Sequence, residues 1–206
     1  MKIIKQKFII DESGSMERQQ EIVINGFNEQ LITMKKEEKE KNIQYLVTLV
    51  KFNETVTVLY ADKPLTDVFP LTKETYNPNG WTALYDAIGN SIDTAVRGET
   101  DVLITIMSDG VDNRSHSWKK SSVKTLIEIR QKENKWGFVY FGSNQDAWGE
   151  GSSLGVLNSL TYTTAATGNA INSMSACRSS YVSESLTGSY NVGNLTCNVN
   201  KEDLTS

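Results

Sequence analysis

Five residues carry the chemistry open to this sequence: Asp11, Ser13 and Ser15 in "DESGS", Thr82 after "NPNGW", and Asp109 in "MSDG". An apolar run, "FII", ends abruptly in Asp11, and two hydroxyls follow at alternate positions around Gly14. An isolated buried charge is costly, and two carboxylates sent to one crevice repel each other. A cation between them is the natural remedy. Two carboxylates and three hydroxyls are hard oxygen donors. They suit Mg²⁺ or Mn²⁺, and Ca²⁺ less tightly, rather than zinc or copper. Mg²⁺ takes six oxygens at about 2.0–2.1 Å. Ser13, Ser15 and Thr82 would supply three, Asp11 and Asp109 would bind directly or through water, and at least one position would stay open.

The elements that must position these residues follow from the hydrophobic pattern. "KQKFIID" (5–11) reads as a strand buried at its C-terminal end. Residues 16–41 read as one helix, with Ile22, Phe27, Leu31 and Met34 on its apolar face and Ile24 and Ile32 beside them. "IQYLVTLVKFN" and "TVTVLYA" read as a β-hairpin. All three prolines fall in a loop over 62–81. A helix over 82–98, with Gly98 as its stop, leads to "DVLITIMSDG", whose unbroken apolar run implies a strand buried on both faces. Further on come a helix over 117–134 with Ser117 as N-cap, a strand over 136–144, a short helix, a strand over 159–164 and a helix over 167–185. Helices alternating with buried strands define an α/β fold. The expected architecture is a Rossmann-like three-layer α/β/α domain with a central, mostly parallel sheet and one antiparallel edge strand. Residues 1–185 form the domain, and 186–206 form a polar tail, poorly ordered or docked upon it.

In open α/β sheets, ligands sit beyond the C-terminal strand ends where the strand order reverses. Asp11, Thr82 and Asp109 all arrive there. Asp11-Glu12-Ser13-Gly14-Ser15 resembles the D-x-S-x-S motif of von Willebrand factor type A domains. Thr82 in "GWTALYDAI" and Asp109 in "MSDG" are similar to the two remaining parts of that family's metal-ion-dependent adhesion site. The three parts occur in the family's order, and the resemblance covers roughly residues 3–184. It implies a Mg²⁺ ion bound by Asp11, Ser13, Ser15, Thr82 and Asp109, and a partner protein whose Asp or Glu fills the open position. It implies no catalysis. It also implies small stand-alone relatives in bacteria and their viruses, working beside an ATPase, kinase or phosphatase. The alternatives are an assembly component whose metal site is vestigial or purely stabilising, and, further off, a metal-dependent phosphohydrolase. One departure from the family is Trp81 before the threonine, where smaller or non-aromatic residues are common. Packing is the favoured role for its indole, and partner contact the other.

Composition excludes several classes. The chain has 206 residues, enough for one domain with a real core. Its net charge of -4 and the absence of a Lys/Arg stripe argue against nucleic acid and anionic lipid. "KKEEKEK" mixes signs and reads as a solvated helix end. No apolar run reaches the roughly 20 residues of a membrane span, and the start of the chain does not read as a signal peptide, so a cytoplasmic location is the default expectation. Cys177 and Cys197, outside any CxxC pair, are expected as free thiols, with a disulfide between them as the alternative. A phosphatase with an aspartyl nucleophile would want an acid where Ser13 stands, and a Ser–His–Asp triad would need His116, the sole histidine. Neither GxxxxGK[ST] nor GxGxxG occurs.

The remaining polar residues near the motifs carry blander expectations. Glu12 is expected to face solvent, Ser15 to double as helix N-cap, and Asp112 and Asn113 to form a turn near the site. Asp86 is expected to bond a loop amide and His116 to lie on a surface loop. Asn144 is expected to cap a helix with Asp146 in its first turn.

Overall fold

The computed structural model describes residues 1–93, 101–133, 135–143, 145–161 and 167–197. The strands are β1 (Lys2–Asp11), β2 (Ile43–Phe52), β3 (Val56–Pro64), β4 (Asp101–Ser108), β5 (Trp136–Gly142) and β6 (Asn158–Thr161). The helices are α1 (Gln20–Lys41), α2 (Leu84–Asp93), α3 (Lys120–Lys132), α4 (Gln145–Ser153) and α5 (Thr167–Thr187). One six-stranded sheet runs in the order β3-β2-β1-β4-β5-β6. Every pairing is parallel except that of β2 with β3 at the edge. The chain builds outward from β1 in one direction and then, from β4, in the other. The strand order therefore reverses between β1 and β4, and a crevice opens beyond their C-terminal ends.

Alternate residues of the strands feed two separate cores, as the period of two requires. Phe8, Ile10, Tyr45 and Leu103 pack with Phe27, Leu31 and Met34 of α1 and with Tyr181 and Val182 of α5. Ile9, Val50, Ile104 and Phe138 pack on the other face with Leu84, Ile88 and Ile92 of α2 and Val123 and Ile127 of α3. The result is three layers. Among the described residues no helix is long and apolar enough to cross a membrane.

Several expectations change. A 3₁₀ segment, Gly14–Gln19, precedes α1, so the apolar face is set by Val23, Ile24, Phe27, Leu31 and Met34, while Ile32 is 60% exposed. Lys119, not Ser117, occupies the N-cap of α3. The amides of His116, Ser117 and Trp118 are instead taken by the Asp86 carboxylate, at 2.9, 3.0 and 2.7 Å. This is a loop-clamping role, and His116 is exposed. Gly98 and Asn144 lie outside the described residues, and Asp146 falls in the first turn of α4.

The cysteines are not free. Cys177 of α5 and Cys197 form a disulfide with a Cα separation of 4.5 Å. The reason lies in the tail, whose described part is docked. Val192 and Leu195 are buried against the α1–α5 core. Asn158 of β6 donates to Val192 O at 2.8 Å and accepts from Leu195 N at 3.0 Å, which brings the chain back along α5.

Candidate metal centre

β1 delivers Asp11 to the crevice, fully buried. The parallel register pairs Ile10 with Met107, so Asp11 sits beside Ser108 and Asp109 lies just past the end of β4. Asp11 Oδ1 accepts from Ser13 N at 2.8 Å, and Oδ2 accepts from Ser108 Oγ at 2.6 Å. Ser13 is extended, and the chain then tightens into the 3₁₀ segment. That turn brings the Ser13 and Ser15 hydroxyls to 3.1 Å from each other. Ser15 Oγ in turn donates to Asp109 Oδ1 at 2.7 Å, and Gln19 Nε2 reaches Asp109 Oδ2 at 3.4 Å.

Thr82 arrives on the long loop, which is tied to β1 at several points. Tyr76 donates its hydroxyl to Asp11 O at 2.6 Å, Asn79 N donates to Glu12 O at 2.8 Å, and Gly14 N donates to Gly80 O at 3.0 Å. Gly80 has φ 74°, a left-handed conformation that favours glycine. Thr82 is then fastened to the loop after β4. Its N–H donates to Asn113 Oδ1 at 2.8 Å, and its carbonyl accepts from Asn113 N and Arg114 N at 3.0 and 3.1 Å. The side chain is buried, and its hydroxyl hydrogen-bonds to no described residue. Asp11, Ser13, Ser15 and Asp109 thus form one hydrogen-bonded chain, and Thr82 is joined to it through Gly80 and Asn113.

Burial pushes the Asp11 carboxyl up to about 6, against the opposing bonds from Ser108 and Ser13, and the charge of Asp109 pushes it further the same way. Burial also raises Asp109, although Ser15 donates to it. No lysine or arginine among the described residues pairs with Asp11. Among the described residues no cluster of three or more His, Cys, Asp or Glu side chains forms a metal cage. The donors here are instead two carboxylates and three hydroxyls, an all-oxygen set that fits a hard divalent cation.

Three neighbouring expectations are overturned. Glu12 does not face solvent; only 9% exposed, it accepts from Lys51 Nζ at 2.7 Å and from Asn77 N at 2.6 Å. With Lys51 also donating to Thr75 O at 2.6 Å, this pair fastens the Thr82 loop to β1 and β2. Ser15 does not cap a helix, because its hydroxyl is spent on Asp109. Trp81 does not pack; its side chain is 59% exposed beside Thr82. Asp112 accepts from Tyr85 N at 3.0 Å and from the Ser115 hydroxyl, and so holds the start of α2. Ser108 and Tyr76 support Asp11 without having been singled out in the sequence. A serine ending an apolar strand, one residue before Asp109, was the available signal for Ser108.

No family model and no curated protein matches the sequence. Solved structures do. The chain is similar to the PilB minor pilin of Streptococcus sanguinis, in its D319A mutant, with a TM-score of 0.65 at 14% identity, covering 91% of this chain and 63% of the pilin. It is similar to the ArnB paralog VWA2 of Sulfolobus acidocaldarius, with a TM-score of 0.59 at 14% identity, covering 86% and 45%. Proximal thread matrix protein 1 of the mussel byssus gives a TM-score of 0.57 at 12% identity, covering 84% and 45%. The chain spans less than half of the archaeal and mussel proteins. What this likeness establishes is the fold: the chain adopts the von Willebrand factor type A fold.

Proposed function

We propose that this chain is a metal-dependent protein-binding module. A divalent cation, Mg²⁺ in the first instance, is held by the hydroxyls of Ser13, Ser15 and Thr82 together with Asp11 and Asp109. An acidic residue of a partner protein completes its coordination. The observation that carries this reading is the Ser13–Ser15–Asp109 chain of hydroxyls and carboxylate lying against a buried Asp11 that has no protein cation. A hard cation relieves the repulsion between the two carboxylates and adds the charge that Asp11 lacks. The bound ion supplies positive charge toward a partner carboxylate. The chain's own residues hold the donors in place through Ser108, Asn113 and the Glu12–Lys51 pair.

The rim supports binding to a protein rather than to a small ion alone. Trp81, 59% exposed, immediately precedes Thr82, and Val111, 54% exposed, lies two residues after Asp109. Exposed apolar groups beside a charge-recognition site add contact area, and tryptophan is enriched among residues that dominate binding energy. The reading assigns no catalysis: Ser13 stands where a second acid would be needed, and His116 donates its amide to Asp86 on an exposed loop.

The test is a thermal melt of metal-stripped protein titrated with Mg²⁺, Mn²⁺ and Ca²⁺, beside Asp109→Ala. Metal at about 100 times its dissociation constant adds about 2.7 kcal/mol if it binds only the folded state. The expected result is a rise with Mg²⁺ or Mn²⁺ that the variant lacks. A wild-type melting point indifferent to all three ions overturns the metal site.

A further inference from the structure

A second feature of β1 lies away from the metal site. Lys7 is on the same face of the strand as Asp11, four residues back, or about 13 Å at ~3.3 Å per residue. It is only 6% exposed. Its Nζ donates to Ser91 O of α2 at 2.9 Å. An ammonium has three donors, and the other two meet no acceptor among the described residues. Nor does any carboxylate there form an ion pair with it.

Lys7 lines a cavity of about 450 Å³ between β3, β1 and the end of α2. That size falls within the roughly 300–1,000 Å³ of small-molecule sites. Val50, Val56, Val58 and Val102 give it an apolar wall. Asp62, the acid among the described lining residues, is committed elsewhere. Its Oδ2 is bound by Lys5 at 2.6 Å, and its Oδ1 accepts from Thr48 Oγ1 at 3.2 Å. Asp62 N also donates to Thr48 Oγ1 at 3.0 Å. These bonds hold Asp62 at φ 47°, a left-handed conformation uncommon for a residue other than glycine. Among the described residues that line the cavity, Lys5 and Lys7 against Asp62 leave one positive charge in excess, set within apolar walls. Burial pulls the Lys7 ammonium below the usual lysine range, and the charge of Asp62 opposes this only in part.

We propose that this cavity binds a small monocarboxylate with an aliphatic or aromatic body. The carboxylate would take the remaining donors of Lys7, and the body would lie among the valines. A buried cation with a single neutral partner is a group whose charge is poorly compensated, and an incoming anion that also buries apolar surface supplies both deficits. The site is independent of the metal reading, since it shares no residue with it.

The experiment is an amide proton–nitrogen correlation titration of the full chain with sodium octanoate, with octanol as the uncharged control. Saturable shifts are expected at Val56, Val58, Ala61, Ser91 and Val102. Octanol is expected to bind about tenfold more weakly or worse, and Lys7→Met to lose about tenfold in octanoate affinity. Val58 is 55% exposed at the cavity, so Val58→Trp fills the space without entering the core. That variant is expected to fold and to lose octanoate binding, and it carries the test if Lys7→Met does not fold. The proposal is overturned if octanoate produces no saturable shifts or shifts elsewhere. It is equally overturned if octanol binds as well as octanoate, or if Val58→Trp binds octanoate like the wild type.

Discussion

Asp11 and Glu37 are both buried carboxylates, and their partners leave them on opposite sides of the ordinary carboxyl value. Burial pushes the Glu37 carboxyl up, but hydrogen bonds from Lys41 and Tyr45 and the charge and bond of Arg178 outweigh it and hold Glu37 below its ordinary value. The partners are close: Lys41 Nζ at 2.8 Å, Tyr45 Oη at 2.6 Å, Arg178 Nε at 3.1 Å and Ser179 Oγ at 3.0 Å. Asp11 has only neutral partners, Ser13 and Ser108, and it goes up to about 6. The contrast separates a carboxylate whose cations come from the chain from one whose cation must come from elsewhere. Glu37 joins α1 to α5 and belongs to the architecture. Asp11 is held at cost to the apo protein, which is what a binding site looks like electrostatically.

The largest effect should come from breaking the Glu37 side. Arg178→Met leaves a buried carboxylate without its guanidinium and is expected to destabilise by about 3–5 kcal/mol in urea unfolding. A loss under about 1 kcal/mol would mean that Lys41 and Tyr45 suffice. Next comes pH in metal-free protein. The folded-state value of Asp11 is raised, so the folded form holds the proton more tightly than the unfolded one. Its contribution is therefore full below the ordinary carboxyl value and lost as pH rises from there through about 6. Asp11→Asn removes that loss, so the metal-free variant should gain stability relative to wild type at pH 7 and not at pH 4. Glu37 has the opposite sign, and its contribution fades as pH falls through its depressed value. Glu37→Gln should therefore flatten the acid side of the stability profile.

With Mg²⁺ present the first comparison inverts. Wild type should gain about 2.7 kcal/mol at 100 times the dissociation constant, and Asp11→Asn little. A variant that gains as much as wild type would remove Asp11 from the site. The smallest effect is at Trp81. Trp81→Ala should change stability by under about 0.5 kcal/mol, because the indole is exposed. Partner binding should weaken nonetheless, and a fall in melting temperature of several degrees would restore the packing role.

What could be read in the sequence divides along similar lines. β1, β4 and the meeting of Asp11, Ser13, Ser15 and Asp109 at their ends are legible because each signal is local: an apolar run, then a polar residue at a fixed spacing. The antiparallel β3 follows from a short turn between two β-rich runs. Glu12 and Trp81 escaped because their surroundings come from distant segments. Glu12 is buried where Lys51 and Asn77 close over it, and Trp81 stands exposed on the loop just after Gly80, which has φ 74°. Arg178 meets Glu37 across 141 residues, and nothing in the serine-rich run around it marks that contact. Lys7 stands with Lys5 and Gln6 in the polar middle of β1, so nothing in the pattern marks it as buried.

The Cys177–Cys197 bond has a consequence for handling. It closes a loop of 20 residues, and on chain-entropy reckoning a loop of about this length restricts the unfolded chain by about 3 kcal/mol. That is comparable to the effect expected of the metal. Two preparations of the same polypeptide, one kept in thiol reductant and one not, would differ in melting temperature before any ion was added. The redox history of each sample is thus a variable to be matched, as firmly as buffer and temperature, in every comparison between variants.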